Sequence, residues 1–284
     1  MILLDWSNVM IGNIMISQKY NKDLDEGLIR HLVLNNIRNY RNKFSKKYGE
    51  LVICTDFHSS WRKDVFPEYK ASRKAAREES STDWVSLFDI INKITDEIRE
   101  IFPYKIIQVP HAEADDVIGT LVYNKYENEK ILIVSSDKDF IQLQIQKNVQ
   151  QFSPRQQKML NGINPIPYIK EHIIKGDTGD GIPNILSDND SLINKSKRQK
   201  PLSKKKIQEW IRRVSPEDFG VDEKVVKNYH RNQLLIDLSY TPKDLKDQIL
   251  DVYNNQKVAS GRDILNYFMK NDLKLLMEHL TEFS

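Results

Sequence analysis

The run ILIVSSDKDF, residues 131–140, decides how this chain is read. Ile131 to Val134 are four aliphatic residues in a row with no polar alternation. Such a run needs cover on both faces, as a strand inside a parallel sheet does. Asp137 and Asp139 then arrive where the burial stops. All strands of an open parallel sheet end along one edge, and ligands bind there. Acid at that point therefore bears on function as well as on fold.

Working outward, ILLD ends in Asp5, LVICTD ends in Asp56, and KIIQVP leads into HAEADDVIG with Glu113, Asp115 and Asp116. Helical patterns separate these strands, one from about Asp25 to Tyr48 before Gly49 and another from Trp84 to about Ile101. Strand alternating with helix predicts a mostly parallel α/β sheet flanked by helices. NVQQF adds a last strand candidate. Beyond about Pro154 the strand-like runs fade into helical ones such as PYIKEHIIK and EKVVKNYHRNQLLIDL. The expected division is an α/β core over 1–155 and a smaller all-helical domain over 156–284.

The chain has 284 residues, 29% of them charged and 39% hydrophobic, and no apolar run long enough for a bilayer. Its opening lacks the layout of a secretory signal. Cys54 is the one cysteine, so an internal disulfide is excluded and a cytoplasmic location is expected. With 43 basic against 40 acidic residues, the net charge of +3 names no partner. The placement of charge is more informative.

One Asp after a strand is ordinary turn or capping chemistry. Several acids on one edge repel by about 4 kcal/mol per close pair at an effective dielectric near 20, so something cationic must balance them. Oxygen donors without a Cys/His cluster select hard cations, which points to Mg²⁺, with Mn²⁺ as a substitute. The histidines are scattered, and His111, beside an acid cluster, reads as incidental. Positions two apart on a helix do not share a face, so Glu113 must precede the regular turns if it joins Asp115 at one site.

Two further stretches stand out. In IIKGDTGDGIPNI, Gly176, Gly179 and Gly181 punctuate a turn that also carries Asp177 and Asp180. Side-chain-free backbone of this kind lets N–H groups approach a phosphate. Between Trp61 and Arg77, basic Arg62, Lys63, Lys70, Arg73, Lys74 and Arg77 interleave with Tyr69, a composition suited to single-stranded nucleic acid. KSKRQKPLSKKK, which includes Lys204, Lys205 and Lys206, holds basic residues and no acid. It reads either as a solvated loop or as a contact to a duplex backbone.

The ordered set Asp5, Asp56, EADD at 113–116, SSDKD at 135–139 and GDTGDGIP at 176–183 resembles the flap endonuclease or 5′ nuclease superfamily. Within it, the chain resembles the ribonuclease H group of the T-even phages, and the resemblance runs over nearly the whole chain. The resemblance implies a PIN-like core, a basic helical arch or loop at about 57–82 and a helix-three-turn-helix motif holding the glycine turn. It implies two divalent ions: the first held by Asp5, Asp56, Glu113 and Asp115, the second by Asp137, Asp139 and Asp180, with Asp115 near both. Asp116 and Asp177 match acids of the outer shell, and K⁺ is expected at the glycine turn. Lys70 and Arg73 match residues beside the scissile phosphate, and Tyr69 matches one that stacks on the terminal nucleotide. The implied activity is 5′-to-3′ exonuclease and flap endonuclease on RNA primers and 5′ DNA ends during replication. Branched, flapped or nicked DNA, RNA:DNA hybrid, a single-strand-binding protein and a sliding clamp are the implied partners, and the chain is expected to be a monomer. Residues 187–206 fit the family less well.

Other readings compete. A haloacid-dehalogenase phosphatase needs a second Asp two residues after the first, and here Trp6 and Ser7 follow Asp5. A PIN-like ribonuclease shares the acidic edge but not the long helical half. A catalytically silent DNA-binding scaffold would not need the full acid set.

Overall fold

The computed structural model describes residues 1–20, 25–80, 82–125 and 127–283, with the side chains of 16–20 and 74–76 outside the described part. Six strands form one sheet: β1 Ile2–Asp5, β2 Leu51–Cys54, β3 Lys105–Ile107, β4 Ile131–Val134, β5 Val149–Ser153 and β6 Lys158–Met159. Their order is β3-β2-β1-β4-β5-β6; the first five run parallel, and β6 closes the edge antiparallel. The chain leaves β1 toward β2 and β3 and then returns to β1's other side for β4. A crevice opens at such a reversal, at the carboxyl ends of the strands. Strands β1, β2 and β4 are buried at every position, and acids stand at or just past their carboxyl ends.

Helices α1 Trp6–Tyr20, α2 Glu26–Tyr48 and α5 Trp84–Ile101 cover one face. Asp25 and Asp83 cap α2 and α5 by accepting from Leu28 N and Ser86 N. The sequence reading placed both helices but not α1, which continues from β1 without a turn residue. Helix α6, Ala114–Lys125, covers the opposite face. Two short helices, α3 Arg62–Val65 and α4 Ala71–Glu78, occupy the expected arch region.

The second half contains α7 Pro165–Lys175, α8 Lys204–Ile211, α9 Glu223–Ile236, α10 Lys243–Asn255, α11 Ile264–Lys270 and α12 Lys274–Met277. Only α7, α8 and α9 build a cluster of their own, and that cluster includes Phe66 and Tyr69 from the arch region. Helix α10 packs into the core around α6, while α11, α12 and Phe283 complete the core around α2 and α5. Past residue 155 the chain thus builds a cluster of its own and also completes the two cores against the sheet. After the glycine turn the next α-helix is α8, which begins at Lys204.

Candidate active site

Asp5, at the end of β1, is 5% exposed. One oxygen accepts from Ser135 Oγ at 2.6 Å and the other from Asn8 N at 3.3 Å. Asp56, just past β2, accepts from Ser7 Oγ at 2.6 Å and from Ala114 N, at the start of α6, at 2.9 Å. Asp115 lies in the first turn of α6, and Glu113 just precedes it, as the helical geometry required. Past β4, Asp137 N donates to Ser135 Oγ at 3.0 Å and Asp137 Oδ1 accepts from Asp139 N at 3.0 Å. Asp177 and Asp180 come in from the turn after α7. All eight of these acids line one open groove of about 1760 Å³ at the switch point.

Their charges are crowded. Burial, then Asp56 and Asp137, pushes the Asp5 carboxyl up to about 7. Burial and Asp137 push Asp139 up to about 8. Burial raises Asp115, helped by Asp137 and Asp5, and burial also raises Asp137, helped by Asp180 and Asp177. Glu113 goes the other way: burial opposes its charge, but Lys70 and Arg62 outweigh it and hold the carboxyl below its ordinary value. Buried carboxylates that protonate at neutral pH for want of a counter-charge are a donor set suited to hard divalent cations.

Lys70 and Arg73 are directed into this set. Lys70 Nζ donates to Glu113 at 2.7 Å and lies 3.7 Å from Asp180, and the Arg73 guanidinium pairs with Asp180. The arch meets the glycine turn directly, as Lys70 N donates to Asp180 O at 2.7 Å. A Cβ on Gly181, at φ +76°, would lie 2.9 Å from Glu68 O, so only glycine permits this approach. Lys63 and Arg77 also line the groove, whereas the Lys74 side chain lies outside the described residues. Lys204, Lys205 and Lys206 stand exposed in the first turn of α8, away from the groove lining.

Two assignments need correction, and a third becomes specific. Tyr69 is 2% exposed, and its hydroxyl lies 2.8 Å from Glu113 and 2.9 Å from Asp180, so its ring offers no face to a nucleotide. Arg62 is 2% exposed and clamps Asp116 through two bonds of 2.9 Å, so it is not a nucleic-acid contact. Asp116 is wholly buried and also accepts from Trp61, Thr241 Oγ1 and Glu113 N. With both oxygens filled by donors it leaves no lone pair for a metal and, as an outer-shell acid would, holds Arg62 and the backbone of Glu113.

One residue escaped the sequence reading. His172, on the last turn of α7, places Nε2 3.2 Å from Asp177 and Nδ1 3.4 Å from Asp139. Nδ1 is buried and makes no hydrogen bond. One donor atom from each of Asp139, His172 and Asp177 lies within 4.8 Å of the others, close enough to share a cation. Burial disfavours the imidazolium, but Asp177 and Asp139 overcome it and hold the ring above its ordinary value. The only signal in the sequence was a histidine at a helix C-terminus just ahead of an acidic turn.

Residues 18–172 match the family of the 5′-3′ exonuclease N-terminal resolvase-like domain, and residues 165–283 match the T4 RNase H C-terminal domain. The chain is 32% identical to the ribonuclease H of Enterobacteria phage T4 over 99% of its own length and 95% of the relative's. It is 29% identical to a 5′-3′ exonuclease of Buchnera aphidicola over 65% of this chain and 64% of the relative. Among solved structures, a bacteriophage T5 flap endonuclease in a pseudo-enzyme-product complex with DNA and metal ions superposes with TM-score 0.66 at 16% identity, covering 89% and 97% of the two chains. That likeness shows a shared fold. Matched from residue 18 to residue 283 and aligned with the phage protein along almost its entire length, the chain belongs to the 5′-3′ exonuclease family that includes phage T4 ribonuclease H.

Proposed function

We propose that this chain is a metal-dependent 5′ nuclease. It would hydrolyse phosphodiesters of RNA primers in RNA:DNA hybrid and of 5′ DNA ends and flaps, as exonuclease and flap endonuclease in lagging-strand processing. The observation that carries this is the set of eight carboxylates on one groove, several too buried and too close to hold their charge unaided. The phage T4 relative is named a ribonuclease H and the T5 neighbour a flap endonuclease, which agrees with the reading.

In this proposal Asp5, Asp56, Glu113 and Asp115 hold one Mg²⁺, and Asp137, Asp139 and Asp180 hold a second, with Asp115 near both and Mn²⁺ able to substitute. Asp177 supports the second position, and His172 adds a nitrogen donor beside it. Bound there, such ions supply an activated water and offset charge on the phosphate oxygens. Ser135 and Ser7 fix Asp5 and Asp56 through their hydroxyls. Tyr69 bridges Glu113 and Asp180 and so sets the spacing between the two halves of the site. Lys70 and Arg73, which rest on Glu113 and Asp180, would turn to the phosphate and stabilise charge as it develops. Lys204 to Lys206 would contact duplex phosphates. The partners proposed are flapped or nicked DNA, RNA:DNA hybrid, a single-strand-binding protein and a sliding clamp, acting on a monomer.

The test is a 5′-labelled flap and an RNA:DNA hybrid incubated with the protein in Mg²⁺ or in EDTA. Release of labelled product only with Mg²⁺, and its slowing by about 10²–10³ in Lys70→Ala at single turnover, is expected. Binding without cleavage in Mg²⁺ would leave a silent scaffold as the better reading.

A further inference from the structure

The groove does not end at the carboxylates. It runs on between α1, α4 and α5, where Ile11, Met15, Arg77, Trp84, Val85 and Phe88 line it. Trp84 and Phe88 stand one turn apart at the start of α5, with ring centroids 5.8 Å apart. The Arg77 guanidinium sits over both, at 5.6 Å from the Trp84 ring centre and 4.9 Å from that of Phe88. Trp84 Nε1 donates to Ser80 Oγ at 2.6 Å, which sets the ring's orientation. Val85 beside them is 73% exposed. The buried stripe of α5 is Leu87, Ile91, Ile94 and Ile98; Trp84 packs against the edge of that core and Phe88 is half-buried beside it, so both rings keep part of their surface on the groove.

Charge connects the two ends of the groove. Arg73, paired with Asp180, and Arg77, over the rings, lie one turn apart on α4, about 6 Å along its axis. Two guanidiniums at that spacing repel each other and favour an anion between them. Glu78, Asp83 and Asp89 also line this arm, and the Asp83 carboxylate is engaged by Ser86 N and Oγ as the cap of α5. Aromatic rings backed by arginine along a basic track are the features that hold unpaired bases with little regard to sequence. A protein helix would want a broad apolar face without that positive track.

We propose that Trp84 and Phe88, with Arg77, form the stacking surface for bases of a single-stranded 5′ segment whose junction lies at the carboxylates. This rests on the nuclease reading above and names the part of the substrate that this arm takes. It also fills the role that the buried Tyr69 cannot. The aromatic pair would distinguish a flap from a flapless end, while the carboxylates treat both alike.

Tryptophan fluorescence tests it, because Trp6, Trp61 and Trp210 are only 1%, 7% and 4% exposed and Trp84 alone among the four is accessible. In EDTA the protein is titrated with a duplex carrying a short oligothymidylate 5′ flap and with the same duplex lacking it. The flapped duplex should quench the signal and the flapless one should not. The double variant Trp84→Leu, Phe88→Leu should bind the flapped duplex at least about tenfold more weakly. It should keep its melting temperature and its affinity for the flapless duplex, and Trp84→Phe should retain most of the flap affinity. Equal quenching by both duplexes, or undiminished flap affinity in the double variant, overturns the proposal. If the wild-type protein binds and cuts both duplexes in Mg²⁺ yet shows no flap-dependent quenching, the stacking surface alone fails. If it binds and cuts neither, the nuclease reading fails with it.

Discussion

Asp116 and Asp137 are both acids in the SSDKD and EADD stretches, and their neighbours give them opposite roles. Asp116 is filled by Arg62, Trp61, Thr241 and a backbone N–H, so its charge is balanced within the protein. Asp137 faces Asp180 and Asp177 across the groove, so its charge is opposed. Asp116→Ala should lower stability by about 3–5 kcal/mol, because Arg62 is left buried without its partner. Its thermal melt should still rise with Mg²⁺ as far as that of the wild type. Asp137→Asn should melt higher than wild type in EDTA and lose most of the Mg²⁺-dependent rise. Six acids of the groove were legible because they end or follow a strand or stand at the start of α6, and Asp177 and Asp180 because glycines punctuate their turn. The parts Tyr69 and Arg62 play were not, since which side chain a fold buries depends on contacts such as Arg62 Nε to Leu235 O, far apart in sequence. His172 was hidden in part for the same reason: Asp177 is only five residues away, but Asp139 reaches it once α7 lies against β4's loop.

At the scale of elements, periodicity was a good guide where apolar spacing was regular. Trp84–Ile101 was placed to the residue, and the buried runs marked the strands. It failed where an element had no punctuation, as at α1. The stretch before α8 is a loop held by Asn184, which donates through its side chain to Lys200 O and accepts from Leu186 N. Helix α8 carries its own message. Lys204, Lys205 and Lys206 occupy its first turn, where the helix dipole disfavours positive charge. Replacing all three with Gln should lower the slope of log binding constant against log salt by roughly 2–3 for flapped duplex, measured by anisotropy titration. It should leave the fold intact. An unchanged slope would remove this turn from the contact surface.

Across the whole molecule, the crowded groove couples protons to stability. Asp5 and Asp139 ionise at about 7 and about 8 in the folded chain, against the ordinary value of about 3.9 for aspartate in an unfolded one. Between these limits the folded state holds protons that the unfolded state has released, so stability falls as pH rises. His172, raised by its acid neighbours, acts in the same direction, since what it contributes is present at low pH and lost on deprotonation. In EDTA the melting temperature should therefore decline from about pH 5.5 to pH 8.5. Saturating Mg²⁺ should flatten the decline and give its largest stabilisation at the alkaline end. Calorimetric melts across that range check both; a level profile in EDTA would mean the carboxylates do not oppose one another.

The last elements of the chain lie far from the groove, yet they bear on when it can exist. Tyr104 OH donates to Phe283 O at 2.8 Å, Arg41 donates to Glu282 O at 2.7 Å, and Phe283 is wholly buried beside Phe102 and Phe268. A nascent chain emerging from the ribosome has all its acids outside long before it has this clasp. Until residues 264–283 are made, the layer beneath α2 and α5 stays open to water. Removing residues 264–283 should therefore lower the melting temperature although no residue of the groove lining is lost.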